Sequence, residues 1–205
     1  MAAVLFVCTG NICRSPMAEA VLRAALADRG LREVRVASAG TGAGEGAAPV
    51  PDALQALAER GYDGSGHRAR RLRPAMVEEA DLVLAMAAEH RDEVVDLVPD
   101  ALPKTFTLKE FVFLLERAGE RLEGEPGGRV RAAARLAEER RRSGDGPVGD
   151  EDVADPLGLS LETYRATLWE VEDLVERMAE RVFGPGEPAG GEVPAGERGR
   201  GVDEG

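Results

Sequence analysis

Short apolar runs alternate along this chain with stretches of helical periodicity. Ala3-Val4-Leu5-Phe6-Val7 carries no polar side chain, and a run of that length reads as a strand buried on both faces. From Met17 to Arg29 apolar residues recur at helical intervals until Gly30 stops them, which predicts a helix. Further strands are predicted at Val34 to Ala37 and Leu82 to Ala85, with a fourth around Lys104 to Thr107. Pro51 to Arg60, closed by Gly61, and Pro74 to Glu79 read as helices, because proline suits a first helical turn and glycine the position past a last one. A final helix runs from about Leu161 to Val182, with Leu161, Tyr164, Leu168, Val171, Val175 and Met178 on one stripe; Tyr164 and Trp169 are read as core residues. Strands that alternate with helices predict an α/β fold, a parallel sheet flanked by helices on both faces. Ligands bind such sheets at the carboxyl ends of the strands.

Two segments stand apart. About 116–153 is dense in Arg, Glu and Ala, is broken by Gly124-Glu125-Pro126-Gly127-Gly128, and reads as a charged helical insertion of one or two solvated helices and a loop. Its Arg140-Arg141-Arg142 triplet reads as a solvated helix end. Residues 184–205 are Gly, Pro and Glu with almost nothing apolar, a composition expected to be disordered. The expected organisation is one domain over 1–183, the insertion included, and an acidic tail.

The chemistry concentrates directly after the first strand. Cys8-Thr9-Gly10-Asn11-Ile12-Cys13-Arg14-Ser15 joins that strand to a helix opened by Pro16. A strand, loop and helix in this order offer a ring of backbone N–H groups to an anion, and the helix terminus reinforces it. This predicts a phosphate-binding loop after strand 1. A thiol is a nucleophile only as thiolate, and the amides and Arg14 that attract a substrate oxyanion also favour that form of Cys8. Arg14 presents a planar fork to two phosphoryl oxygens, which lysine cannot match. Gly10 permits close backbone approach and any positive φ; Ser15 is placed to donate to the Cys8 sulfur, and Asn11 to brace the loop. Cys13 is either a packing residue or a redox-protective partner that forms a reversible disulfide with Cys8.

Val7 through Pro16 resembles the signature of the low-molecular-weight protein tyrosine phosphatase family. The resemblance continues through Met17-Ala18-Glu19-Ala20, Ser38-Ala39-Gly40-Thr41, His67-Arg68-Ala69-Arg70, Ala80 to Met86 and Asp155-Pro156, covering most of 1–183. It implies a four-stranded sheet and a cysteine-dependent phosphatase that hydrolyses phosphotyrosine in proteins through a phosphocysteine intermediate. The catalytic residues it implies are Cys8, Arg14 and Asp155, the last as general acid and then base. Thr9, Gly10, Asn11, Ile12, Cys13, Arg14 and Ser15 would bind the phosphoryl group, with no cofactor and no metal. Phosphorylated proteins, inorganic phosphate and other oxyanions are the implied partners. The family's aromatic pair after Asp-Pro is replaced here by Leu157 and Gly158. Related bacterial arginine phosphatases carry Thr where this chain has the apolar Ile12 of the tyrosine-specific members. Arginine phosphatase is therefore the alternative, followed by an arsenate reductase resolved by an external thiol, since no cysteine follows Cys13. A non-catalytic phosphoprotein-binding module is the reading from another class, opposed by the intact Asp155-Pro156.

Composition narrows the rest. A 205-residue chain that is 43% hydrophobic can build one core. No apolar run reaches membrane-spanning length and no signal peptide opens it. Its only two cysteines lie in the loop, which suits a reducing, cytoplasmic setting. Arginine outnumbers lysine 24 to 2, as in GC-rich bacterial coding. A net charge of −12 disfavours nucleic acid and anionic membranes as partners. The glycines of 40–46 fit no dinucleotide or nucleoside-triphosphate loop and are expected to form a flexible loop near the site. His67 and His90, 23 positions apart, are read as helix-surface or hydrogen-bonded structural histidines rather than metal ligands. Nothing demands an obligate dimer, so a monomer or weak dimer is expected.

Overall fold

The computed structural model describes residues 1–186 except 120 and 148. The expectation for the acidic tail falls almost wholly outside the described residues. Four strands, β1 (Ala2–Cys8), β2 (Val34–Gly40), β3 (Leu82–Ala85) and β4 (Thr105–Thr107), form one sheet in the order β2-β1-β3-β4. Every pairing is parallel, and the register sets Cys8 beside Gly40 and Val7 beside Ala85. All seven residues of β1 are buried, and the period of two divides them between two cores. Val4, Phe6 and Cys8 join one apolar cluster, Leu5 and Val7 the other.

The first cluster packs under α1 (Arg14–Asp28), α2 (Pro51–Glu59), α5 (Leu108–Ala118), α6 (Pro126–Arg142) and α7 (Leu161–Phe183). The second is covered by α3 (Pro74–Glu79), α4 (Ala88–Leu97) and a 3₁₀ turn at Pro99–Lys104. The chain leaves β1 toward β2 on one side and later returns to β3 on the other. That reversal opens the crevice at the end of β1 in which α/β folds hold ligands.

Two helices were not anticipated. The α4 sequence is mostly polar and buries only His90 and Val94, too few for a stripe to show. The α5 helix had a local signal, since Thr107 and Glu110 form a capping box immediately before an apolar run.

The segment expected to be solvated is different. Helix α6 buries Val130, Ala133, Ala134, Leu136 and Ala137 in the main core and exposes only its charged face. Alanine gives a weak hydrophobic signal but permits close approach. The arginine triplet is not a free end either. Arg141 donates to the carbonyls of Leu102 and Thr105 at 2.7 and 2.9 Å, and its guanidinium lies 4.3 Å from the Phe106 ring, while Arg142 pairs with Glu138 at 2.6 Å. On α7 the expected stripe faces the core and includes Tyr164, but Trp169 is 67% exposed. It follows Leu168 in the helix and so points off the stripe.

If α6 is structural, Ala133→Glu places an unpaired carboxylate in the core and should cost about 3 kcal/mol or more in urea unfolding. Arg135→Glu, on the exposed face of the same helix, should stay within about 0.5 kcal/mol of the parent. Equal effects would contradict the packing.

Candidate active site

The loop after β1 folds around the Cys8 sulfur. Cys8 is 3% exposed; its Sγ lies 2.9 Å from Ser15 Oγ and accepts the Asn11 backbone N–H at 3.3 Å. Positive φ falls at Asn11 (+53°) and not at Gly10. Asparagine tolerates this region when its side chain is held locally, and here it is held completely. Its Nδ2 donates to Ser15 Oγ at 2.9 Å and to Ser38 Oγ at 2.8 Å, while its Oδ1 accepts from the Arg70 N–H at 2.9 Å.

That amide also orients its neighbours. Ser15 Oγ already accepts from Asn11, which leaves its proton for Cys8 Sγ or for the Ala39 carbonyl at 3.5 Å. Ser38 likewise accepts from Asn11 and donates its own hydroxyl hydrogen bond to buried Glu19. Around the Glu19 carboxylate stand Arg23 at 2.6 Å, Arg70 at 3.7 Å and His67 at 3.8 Å. The His67 Nε2 reaches the Asn11 carbonyl at 2.9 Å. A cavity of about 390 Å³ opens beside this network, but its cations are engaged: Arg23 and Arg70 with Glu19, and Arg68 with the carbonyls of Ser65 and His67.

The glycine stretch expected to be flexible is bonded to the loop. Thr41 and Gly42 donate to the carbonyls of Cys8 and Thr9, each at 2.9 Å. A Cβ at Gly40 would lie 2.4 Å from the Thr9 oxygen and 2.9 Å from the Asn11 nitrogen, so this position needs glycine for lack of room.

Arg14 and Asp155 meet over the loop. Arg14, 6% exposed, donates from Nη2 to Asp155 Oδ2 at 2.7 Å and from Nη1 to the Val153 carbonyl at 3.1 Å. Asp155 is 44% exposed, and its other oxygen accepts from the Leu157 N–H. The segment before it is tied down. Val153 N–H donates to the Met86 carbonyl, Asp152 accepts from the first N–H of α4 at Ala88, and Glu151 pairs with Arg91 at 2.8 Å. Lys109 donates to the Asp152 carbonyl at 2.6 Å. Ala87 cannot cap α4, so Asp152 does so from the far end of the chain.

The structure therefore places Cys8, Asn11, Arg14, Ser15 and Asp155 at one end of β1, with Thr9, Gly10 and Ile12 completing the loop. Cys13 is the N-cap of α1, its sulfur 4.0 Å from the Tyr164 hydroxyl. Burial pushes the Cys13 thiol up to about 11. Both cysteines are free thiols. Thr9 Oγ1 lies 2.8 Å from His90 Nε2. Sequence reasoning had marked neither His90 nor Asp152 as site residues; a histidine on a polar helix and one aspartate among many carry no distinguishing pattern. Among the described residues no helix is long and apolar enough to cross a membrane, and no three His, Cys, Asp or Glu side chains gather as metal ligands do.

A family model described as low molecular weight phosphotyrosine protein phosphatase matches residues 3–123. The chain is 37% identical over 179 residues to a protein-arginine-phosphatase from Geobacillus stearothermophilus, covering 87% of this chain and 95% of that one. A solved low molecular weight protein tyrosine phosphatase from T. tengcongensis superposes with a TM-score of 0.67 at 35% identity, covering 88% and 99% of the two chains. A solved cysteine-to-serine mutant of an arginine phosphatase, with a phosphorylated active-site serine, superposes at 0.66 with 32% identity, covering 87% and 93%. The chain belongs to the low molecular weight phosphotyrosine protein phosphatase family and is a phosphatase.

Removing the Asp152 carboxylate should cost about 1 kcal/mol of stability through the lost cap. Because it loosens the segment carrying Asp155 and leaves the loop intact, Asp152→Ala should lower kcat more than it raises KM; the reverse split would contradict this. Burial also holds His67 and His90 below the ordinary histidine value of 6.5. The unfolded chain then binds more protons near that pH than the native one. Their contribution to stability is complete above about pH 6.5 and is lost as pH falls through the depressed native values. Urea midpoints should fall on the acid side, and His67→Gln should flatten the fall; an identical slope in both proteins would oppose the assignment.

Proposed function

We propose that this phosphatase hydrolyses phosphotyrosine in proteins, with Cys8 as nucleophile, Arg14 as the phosphoryl clamp and Asp155 as general acid and base. The observation that carries the reading is the meeting of these three side chains, drawn from opposite ends of the chain, at the mouth of one amide-lined loop.

Cys8 Sγ attacks phosphorus in line with the ester oxygen. A sulfur–phosphorus bond forms as the oxygen–phosphorus bond breaks, and Asp155 gives its proton to the departing phenolate oxygen. Arg14 and the amides of Thr9 through Ser15 hold the three equatorial oxygens. In the second step Asp155 takes a proton from water, which attacks phosphorus and expels Cys8 as thiolate, with Ser15 Oγ at 2.9 Å to receive the charge on sulfur. The phosphorylated serine in the solved mutant supports transfer of the phosphoryl group to the residue at this place in the fold. Cys13, kept as thiol by burial, is available for a reversible disulfide with Cys8 that would guard it from irreversible oxidation. Two free thiols suit the cytoplasm.

The choice of tyrosine rests on Ile12. It is half-buried against the core with its Cγ1 beside Gly10. Leu157 and Leu159, just past Asp155, are 53% and 56% exposed. These apolar surfaces can pack on an aryl ring and offer nothing to the N–H groups of a guanidinium. The end-to-end likeness to an arginine phosphatase favours phosphoarginine as the second reading.

Steady-state hydrolysis of matched phosphotyrosine and phosphoarginine peptides decides between them. Phosphotyrosine should be preferred in kcat/KM by about tenfold or more, Ile12→Thr should narrow the ratio, and Cys8→Ser should abolish turnover by more than about 10³-fold. Faster phosphoarginine hydrolysis by the unmodified protein would replace the main reading with the second.

A further inference from the structure

His90 bonds a side chain of the loop, that of Thr9, where His67 reaches only the Asn11 backbone carbonyl, and nothing in the reaction above uses it. It sits on α4, 1% exposed. Its Nε2 faces two acceptors, Thr9 Oγ1 at 2.8 Å and Glu89 Oε1 at 3.4 Å. Its Nδ1 is buried and has no hydrogen-bond partner among the described residues. These facts select one tautomer. A proton on Nδ1 would bury an unsatisfied donor and turn a lone pair on Nε2 toward a carboxylate oxygen. With the proton on Nε2, the donor is satisfied and the orphan atom is only a lone pair, the cheaper of the two. A doubly protonated ring would again strand Nδ1–H. Burial and the charge of Arg14 both oppose that form, while Glu89, Glu93 and Asp152 favour it less strongly.

The direction of the bond fixes the job of its partner. Thr9 is the residue after Cys8, exposed at the rim of the loop, and its backbone carbonyl is held by Gly42. Once Thr9 Oγ1 accepts from His90, its own proton has no acceptor in the imidazole and is free for a group outside the protein. We propose that His90 is a positioning residue that orients the Thr9 hydroxyl as a further donor to the oxyanion bound in the loop. The proposal rests on the phosphatase reading and adds to it one side-chain donor beside the backbone amides and Arg14. Such a donor pre-aimed at developing charge needs no reorganisation during the reaction.

Two measurements on the full chain test it. Long-range 1H–15N spectra of the imidazoles report which nitrogen of His90 carries the proton; Nε2–H is expected, and Nδ1–H would overturn the proposal whatever the kinetics. Steady-state hydrolysis of p-nitrophenyl phosphate is then compared for the parent and the variants. Thr9→Val and His90→Leu should each lower kcat/KM by about tenfold or more, with most of the loss in kcat. Thr9→Ser, which keeps the hydroxyl, and His90→Gln, which keeps a donor near the Nε2 position, should recover most of it. The double variant Thr9→Val, His90→Leu should be no worse than the poorer single one, because both remove the same bond. Full additivity, no rescue, or undiminished turnover in Thr9→Val would each overturn the role. The underlying reading fails separately: Cys8→Ser as active as the parent would overturn the loop chemistry, whereas turnover that requires Cys8 but ignores Thr9 would sink this inference alone.

Discussion

The left-handed backbone of Asn11 is the constraint on which the site depends. At φ +53° the chain turns back so that the Asn11 amide aims at the Cys8 sulfur, and an ordinary side chain there would be strained by about 1 kcal/mol or more. Both N–H donors and the oxygen of the Asn11 side-chain amide are used. They reach the next turn of the loop, the end of β2 and the strand-like segment at Arg70. The turn is therefore fixed from three directions, and the same amide sets the proton directions of Ser15 and Ser38. Glutamine is too long for these distances and aspartate lacks the two donors. Nothing else fits both the backbone and the network.

A second attachment spans the sheet. Asp155 lies far along the chain from the loop, yet the segment that carries it is bonded to the end of β3 through Met86, to the start of α4 through Ala88, and to α5 through Lys109. Helix α4 is thus shared: its first N–H is capped by the Asp155 segment and its His90 holds Thr9. Two sides of the site are referred to one rigid element, and this is how residues remote in sequence keep a constant separation without a covalent link.

Much of this was legible in the sequence, and what was not has physical reasons. β1 and β3 are short apolar runs and β2 opens on Val34, Val36 and Ala37, so these three strands could be placed within a few residues, as could α1, α2, α3 and α7. The loop was legible because its chemistry is local, with nucleophile, clamp and helix start inside eight positions. Helix α6 hid its buried face behind alanines, and α4 hid most of its function in contacts made by other segments. Trp169, read as core, is exposed because its position beside Leu168 puts it off the stripe. The positive φ was expected at Gly10 on general grounds and lies at Asn11 because a side chain that bonds three partners supports that conformation better than a residue with none. Contacts that join 8 to 155 or 9 to 90 have no local signature at all.

The pairing of Arg14 with Asp155 adds a condition on how substrate is bound. One guanidinium N–H faces Asp155 and another faces the Val153 carbonyl, so on the proposed reaction a phosphoryl group that claims the fork must take it from the segment bearing Asp155. The exchange trades one carboxylate for two or more oxyanion contacts, and it releases Asp155 where a leaving oxygen would stand. The protein as a whole carries −12, so long-range attraction offers a dianion no help in reaching this point. Affinity must come from contacts made at the loop itself: amides already aimed, a clamp that changes partners, and the apolar rim at Ile12. A site of this kind discriminates by shape at short range, so a preference between an aryl and a guanidinium phosphate has to be written at its rim, where Ile12 stands.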